Sequence, residues 1–414
     1  MSIKSAAQST KDGYKSIKEG QLGGYKPIKT RFEHLNKHSH GGLTKQKIYT
    51  IGALSGYGKS HNLRQIETDI FDDKLNPTSK KDVILIKADF EQSKEEYILT
   101  KVHEKTKVPF EELLYNKPNE EVKKAFNEVY LELTSDYIFE TFDTYTPDNF
   151  YEEVKTFIET YTREFTEEVV GNTEEIVKEG KVIQKSYPIY ARDPLYKKQI
   201  VLTIDNINLV EKNGNQDEGT SISNLITHLI RLKREVKTLT IIILAQLNRS
   251  LKERINPKEH FPRTTDFYFS SKIEFASDIQ VVIHNPYLLG LSEYGAVNYE
   301  RYSYLSDYLE EKNKYAVFQT KGLTFWHYVK VRLKNSLKDF KDIHVERVFD
   351  VNDNDTEITK DNFSIKTPTF NSSSNPQPRQ AQENPYKDLK PNSDFKAMFD
   401  IEDNEDEDKD GIPF

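Results

Sequence analysis

The 414-residue chain contains no cysteine, which excludes disulfide bonds and thiolate metal sites and fits an intracellular, cytoplasmic setting. Its first residues are rich in Lys, Ser and Gly and lack the apolar h-region of a secretory signal, so secretion is not expected. Long hydrophobic runs are missing as well. The most apolar stretch, "TLTIIILAQL", is too short to span a bilayer. No internal repeat is visible. Net charge is modest at -8 but unevenly spread: residues 1–47 carry ten basic and three acidic residues, and Asp394 to Phe414 carry nine acidic and two basic. A basic arm and an acidic tail thus flank a mildly acidic body, and blocks of this kind are often interaction tails.

What is present suffices for a sizeable core, since 36% of residues are hydrophobic, while the 30% charged fraction and a mean hydropathy of -0.74 imply that part of the chain stays solvated. Residues 1–24 show no hydrophobic periodicity and read as a flexible basic arm. From Lys47 to Ala53 a β-type run enters a glycine turn, and "SHNLRQIETDIF" follows with Leu63, Ile66 and Ile70 at helical spacing. "DVILIKADF" and "QIVLTID" are continuous apolar strands, as is "TLTIIILAQLN"; "DIQVVIH" and "YVKVRL" complete the set. Helices fit "SKEEYILTKVHEKT" with Ser93 as N-cap, "EEVKKAFNEVYLELT", "PDNFYEEVKTFIETYT" and "SISNLITHLIRLKREVK". Apolar strands alternating with helices imply an α/β fold whose mostly parallel central sheet is flanked by helices. The main domain is expected over 25–350, with insertions near 165–198 and 286–314. The first insertion reads as a hairpin turning at Glu179-Gly180, and the second holds Tyr294, Tyr299, Tyr302, Tyr304 and Tyr308, for which packing is the default role. Residues 351–414 read as a polar linker that does not pack, ending in the acidic tail.

One stretch carries chemistry by itself. "ALSGYGKS" spaces Ala53, Gly58, Lys59 and Ser60 as a P-loop, with alanine in the first position. Phosphate binding needs backbone N–H groups turned inward, hence glycines at Gly56 and Gly58; it needs a cation, Lys59, and a hydroxyl for Mg²⁺, Ser60. The helix starting there adds its positive N-terminal end. Ser55, Tyr57 and His61 belong to the same cradle. Asp205 ends a strand, where a carboxylate can hold the Mg²⁺ shell, Glu91 follows another strand and is a candidate to activate water, and Gln246 ends a third as a candidate γ-phosphate sensor. A strand terminus or capping amide is the plainer reading of each one alone.

Together these residues resemble the RecA-like ATPase domain of DnaB-type replicative helicases. "IKTRFEHLNKHSHGGLTKQKIYTIGA" is similar to the family's entry segment, "FEQSKEEYILTKV" to the segment of its catalytic glutamate, and "LTIDNINLV" to its Walker-B strand. "LAQLNRSLKER" resembles the stretch containing Gln246, Asn248 and Arg249, and "IEFASDIQVVI" the strand after it. "KVRLKN" resembles the K-x-R segment that reaches a neighbouring subunit's nucleotide, which falls on Lys330 and Arg332. The resemblance runs from about Ile28 to Asp350. It implies ATP and Mg²⁺ as cofactors, a ring of identical subunits, expected to be a hexamer, and translocation on single-stranded and forked DNA, 5′ to 3′, in the cytoplasm of a bacterial or phage-infected bacterial cell. A recombinase or recombination mediator of the same class, or a single-strand DNA-binding hub, are the alternative functions.

Two features depart from or add to the family pattern. Its phosphate-contacting DNA-loop residues align with Tyr268, Phe269 and Ser271, none of them basic, so Arg249, Arg254, Lys258, Arg263 and Lys272 are the basic candidates, with the aromatics available for stacking on bases. The chain ends "IEDNEDEDKDGIPF", which resembles the acidic tip of bacterial single-stranded DNA-binding proteins. Ile412, Pro413 and Phe414 match, and Gly411 departs. A terminal apolar residue with its own carboxylate suits an apolar pocket with a basic rim, on replication proteins that read such tips. A merely solubilising tail is the alternative.

Overall fold

The computed structural model describes residues 26–164, 173–178, 181–186, 198–254, 261–298, 315–321, 323–332, 343–349, 355–356 and 363–366. The basic arm, Lys258, Tyr299, Tyr302, Tyr304, Tyr308 and the tail with Ile412, Pro413 and Phe414 lie outside the described residues. The first half contains α1 (Glu33–His38), β1 (Lys47–Ala53), α2 (Lys59–Ile70), α3 (Ser79–Asp82), β2 (Val83–Asp89), α4 (Lys94–Thr106), α5 (Phe110–Tyr115), α6 (Glu120–Leu133), β3 (Ile138–Thr141), α7 (Pro147–Glu164), β4 (Thr173–Lys178) and β5 (Lys181–Ser186). The second contains β6 (Gln199–Asp205), α8 (Glu218–Glu235), β7 (Leu239–Gln246), α9 (Ser270–Ala276), β8 (Ile279–His284), β9 (Glu293–Asn298), β10 (Tyr315–Gln319), β11 (Leu323–Val331), β12 (Ile343–Phe349), β13 (Asp355–Thr356) and β14 (Phe363–Lys366).

A nine-stranded sheet in the order β13-β12-β11-β8-β1-β7-β6-β2-β3 organises the molecule. From β8 to β3 every pairing is parallel, and β2, β6 and β8 are buried at every residue. Burial on both faces is what their Val/Ile/Leu-rich sequences require, since crossover helices cover both sides of a parallel sheet. Helix starts follow local chemistry. Ser93 and Glu96 form a capping box at α4, with Glu96 N–H donating to Ser93 Oγ at 3.2 Å and Ser93 N–H to Glu96 Oε2 at 2.9 Å. Asn119 and Asp217 cap α6 and α8 by accepting from Val122 and Thr220 N–H.

Three parts differ from the sequence expectation. The "YVKVRL" strand is the end of β11, which runs antiparallel to β8 and continues through antiparallel β12 and β13. Alternation of helices and strands lapses after β8, so nothing forces a parallel crossover there. Residues assigned to the second insertion contribute β9, which pairs with β10 and, through it, with β14. Beyond Asp350 the chain is not wholly unpaired, because β13 joins β12 and β14 joins β10; the four-residue "FSIK" is a strand pattern too short to stand out in a polar stretch. The expected hairpin is present as antiparallel β4 and β5, from Thr173↔Ser186 to Lys178↔Lys181. Tyr294 is buried and bonds His327 Nε2 through its hydroxyl at 3.1 Å. Among the described residues no helix is long and apolar enough to cross a membrane.

Candidate nucleotide site

The parallel strands deliver the predicted groups to one edge of the sheet. β1 runs into the turn "LSGYG", where Gly56 (φ 80°) and Gly58 (φ 82°) occupy the left-handed region that side chains disfavour. A Cβ built on Gly56 meets no atom within 4 Å, so the position faces open space. Ser55 and Gly56 are exposed, Tyr57 is largely buried, and Lys59 at the first turn of α2 is buried. Asn62 fastens the turn by donating from Nδ2 to the Gly58 carbonyl at 2.8 Å. His61 turns its ring to Glu104 (Nδ1 to Oε1, 3.1 Å) and Gln65 (Nε2 to Nε2, 2.8 Å). Burial pushes the Glu104 carboxyl up, but the His61 hydrogen bond and the Arg64 guanidinium outweigh it and hold the group at about 2.

Strand periodicity explains the carboxylates. β2 and β6 pair with Lys87 opposite Thr203 and Asp89 opposite Asp205; residues two apart point to one face. On that face Glu67 of α2 accepts from Thr203 Oγ1 at 2.7 Å and pairs with Lys87 at 3.4 Å, while the Lys87 ammonium lies 3.5 Å from the Tyr97 ring centroid. Burial lowers the Lys87 pKa. The phosphate-loop helix is thereby tied to the two strands that present the acids. Asp205 is buried, and its Oδ1 has no hydrogen-bond partner among the described residues. Burial pushes its carboxyl up to about 7; Asp89 and Glu91 push the same way, and the Ser60 hydrogen bond and Lys59 oppose. A buried carboxylate oxygen with no partner among the described residues, on a carboxyl whose charged form the Ser60 hydroxyl and Lys59 favour, fits a hydrated divalent cation, so Ser60 and Asp205 suit Mg²⁺.

Asp89 is the residue that sequence reasoning passed over. Its Oδ1 accepts from Glu91 N–H at 2.9 Å and Gln92 N–H at 3.0 Å, fixing the turn on which exposed Glu91 stands. An acid at a strand end followed by two turn residues was the available signal. Asn208 is the second omission: its Oδ1 accepts from Gln246 N–H at 2.8 Å. Ala53 and Gln246 are register partners, and Leu247 N–H donates to the Ala53 carbonyl at 3.1 Å. Tyr268 N–H donates in turn to the Gln246 carbonyl at 3.0 Å, so the aromatic segment is stitched to the strand that carries Gln246. Phe267 fits where β1 has a glycine, since a Cβ on Gly52 would lie 2.4 Å from its ring.

The predicted cations divide. Arg249, Arg263 and Lys272 are exposed. Arg254 is committed internally, pairing with Asp266 and donating to the Phe261 carbonyl, which leaves less of its charge for a DNA backbone. Lys330 and Arg332 are not at the nucleotide edge. Lys330 pairs with Gln280, which pairs with Thr50 in the middle of β1, and Arg332 lies beside the entry of β1, so they stand roughly 10 Å and roughly 16 Å along the strands from Ala53 at 3.3 Å per residue.

The raised Asp205 pKa has a testable sign. A carboxyl that titrates near 7 folded and near 3.8 unfolded stabilises the metal-free fold below the unfolded value and loses that contribution as pH rises through 7. Asp205→Asn is therefore expected to flatten the pH dependence of Tm between pH 4 and 7 and to raise Tm at neutral pH in EDTA. Equal slopes for the two proteins would remove the assignment.

The phosphate turn, the acids on adjacent parallel strands and the sheet order define a RecA-like P-loop α/β fold. Residues 183–319 match the model of the DnaB-like helicase C terminal domain family, which bears out the resemblance seen in the sequence; that span holds Asp205 and Gln246, whereas the P-loop, Glu91, Lys330 and Arg332 lie outside it. Among solved structures, one ATPase domain superposes with a TM-score of 0.50 at 15% identity, covering 83% of this chain and 99% of that one. A DnaB-like replicative helicase, solved in a study of its interactions with primase, gives 0.47 at 16% identity, covering 80% and 63%. No curated protein matches the chain.

Proposed function

We propose that the chain is the ATP-hydrolysing motor of a DnaB-type replicative DNA helicase, assembling as a hexameric ring on single-stranded DNA and opening forked duplex, 5′ to 3′. The observation that supports it most is the convergence at one sheet edge of the phosphate turn, buried Lys59, Ser60, buried Asp205 with its orphaned oxygen, and Glu91 on its Asp89-braced turn. Mg²⁺, when bound, neutralises charge on the β- and γ-phosphate oxygens. Lys59 and the loop amides bind the phosphates, Ser60 and Asp205 hold the cation and its water, Glu91 orients and deprotonates the attacking water, and Gln246 reads the γ-phosphate. Lys330 and Arg332, set back along the strands from the end of β1 that enters their own P-loop, serve a neighbour's. Stimulation of hydrolysis by single-stranded DNA, together with a nucleotide-dependent rise in assembly mass to six subunits, tests this reading. Unstimulated hydrolysis would favour the DNA-binding hub, and open-ended filaments the recombinase.

The acidic tip extends the proposal to replication proteins as partners. Six copies tethered to one ring raise the effective concentration of Phe414. Deleting Gly411 to Phe414 is expected to spare hydrolysis and weaken capture of a protein that binds single-stranded DNA-binding protein tips. If capture is unchanged while DNA affinity of the isolated ring rises, the tail instead competes for the ring's own DNA path; if neither moves, it only solubilises.

A further inference from the structure

Resting on the reading of Arg332 as a cation that acts on a neighbouring subunit, we infer that Asp278 is its positioning residue. Asp278 immediately precedes β8 and is buried. Its Oδ2 accepts from Ile48 N–H and from Lys233 Nζ, each at 2.9 Å, and Lys47 Nζ stands 3.8 Å from Oδ1. Arg332 reaches the same carboxylate with Nη1 at 3.4 Å, while its own N–H donates to the Asp278 carbonyl at 2.8 Å. Nη2 donates to the Phe275 carbonyl at 2.7 Å, and Lys330 Nζ donates to the Glu274 carbonyl.

Both cations therefore sit on the last carbonyls of α9, where the partial negative charge of a helix end favours them. Asp278 adds a full negative charge and a covalent link from that helix to β8. The Arg332 side chain is nevertheless 45% exposed, so its guanidinium is aimed from a fixed base and still accessible. A flexible arginine would spend most of its time away from the phosphate; a carboxylate and a carbonyl gripping two of its nitrogens narrow that spread. Misplacement of about 1 Å can cost on the order of 100-fold in rate. Lys47 and Lys233, facing the same carboxylate, offset its charge and keep Arg332 from being locked to it as a sole ion pair. The class of group served is the transferring phosphate of a nucleoside triphosphate held by the next subunit.

Asp278→Asn keeps an oxygen for Ile48 N–H and removes the charge. It is expected to lower kcat roughly 10- to 100-fold with KM for ATP little changed. A merely structural role is separated by mixing subunits. If Asp278 acts through Arg332, Asp278→Asn subunits still offer an intact P-loop, so mixing them with Lys59→Ala subunits restores activity at hybrid interfaces, and mixing them with Arg332→Ala subunits does not. The reverse pattern, rescue by Arg332→Ala and none by Lys59→Ala, would show that Asp278 supports its own P-loop and would overturn the inference. Should Asp278→Asn fail to assemble, Asp278→Glu, which keeps the charge but moves it by a methylene, enters the same mixtures with the same two outcomes. Failure of the underlying reading looks different, because then Lys59→Ala and Arg332→Ala do not rescue each other.

Discussion

Lys59→Ala is expected to abolish ATP hydrolysis and to weaken nucleotide binding sharply, whereas Glu91→Gln should bind nucleotide like the wild type and lose turnover. The difference follows from where the two side chains stand. Lys59 is buried at the start of α2 beneath the glycine turn, so its removal leaves the triphosphate without its nearest compensating cation in ground and transition states alike. Glu91 is exposed on a turn held by Asp89, where it can meet a water but not cradle a phosphate; the amide keeps the shape and loses only the base. Losses of general base catalysis run to about 10²–10⁴-fold. Equilibrium binding of a fluorescent ATP analogue, beside steady-state hydrolysis, checks the split, and equal loss of affinity in both variants would contradict it.

Arg332→Ala carries the second large effect. An arginine that stabilises charge on a transferring phosphoryl group is worth about 10³–10⁵ in rate, and the variant should still bind ATP through its intact P-loop. The register puts Arg332 beside the entry of β1, at the far end of the strand from Ala53, the placement that the proposed action across an interface uses. Mixed with Lys59→Ala subunits it should recover activity, since hybrid interfaces join an intact P-loop to an intact arginine. Silence at every mixing ratio would mean that the cation acts elsewhere.

Much of this arrangement was legible in the sequence because parallel strands leave a strong mark. Unbroken apolar runs ending in Ala53, Asp205 and Gln246 could only be buried strands, and their polar ends had to gather at one edge. Ser93 was legible as a cap for the same reason of local chemistry. What escaped depends on contacts distant in sequence. Asp278 lies 230 residues from Ile48, whose amide it accepts, and nothing in "FASDIQ" signals that partner. Lys87 sits in an apolar run and looks like a strand-end charge until Glu67 and Tyr97 are placed around it. The antiparallel course of β11 and the short β13 and β14 were hidden because pairing direction is set by connections, not by the strand's own residues. Arg254 looked available to DNA until Asp266 was found against it.

The most direct test of the central claim is strand separation on a forked duplex with a single-stranded 5′ arm, with ATP and Mg²⁺, compared with the same duplex bearing blunt ends. The proposed helicase separates the forked substrate, does so only with hydrolysable nucleotide, and leaves the blunt duplex intact, while Glu91→Gln separates neither. Hydrolysis stimulated by single-stranded DNA with no strand separation on a fork of either polarity would contradict the account, and would identify an ATPase that binds DNA without opening it.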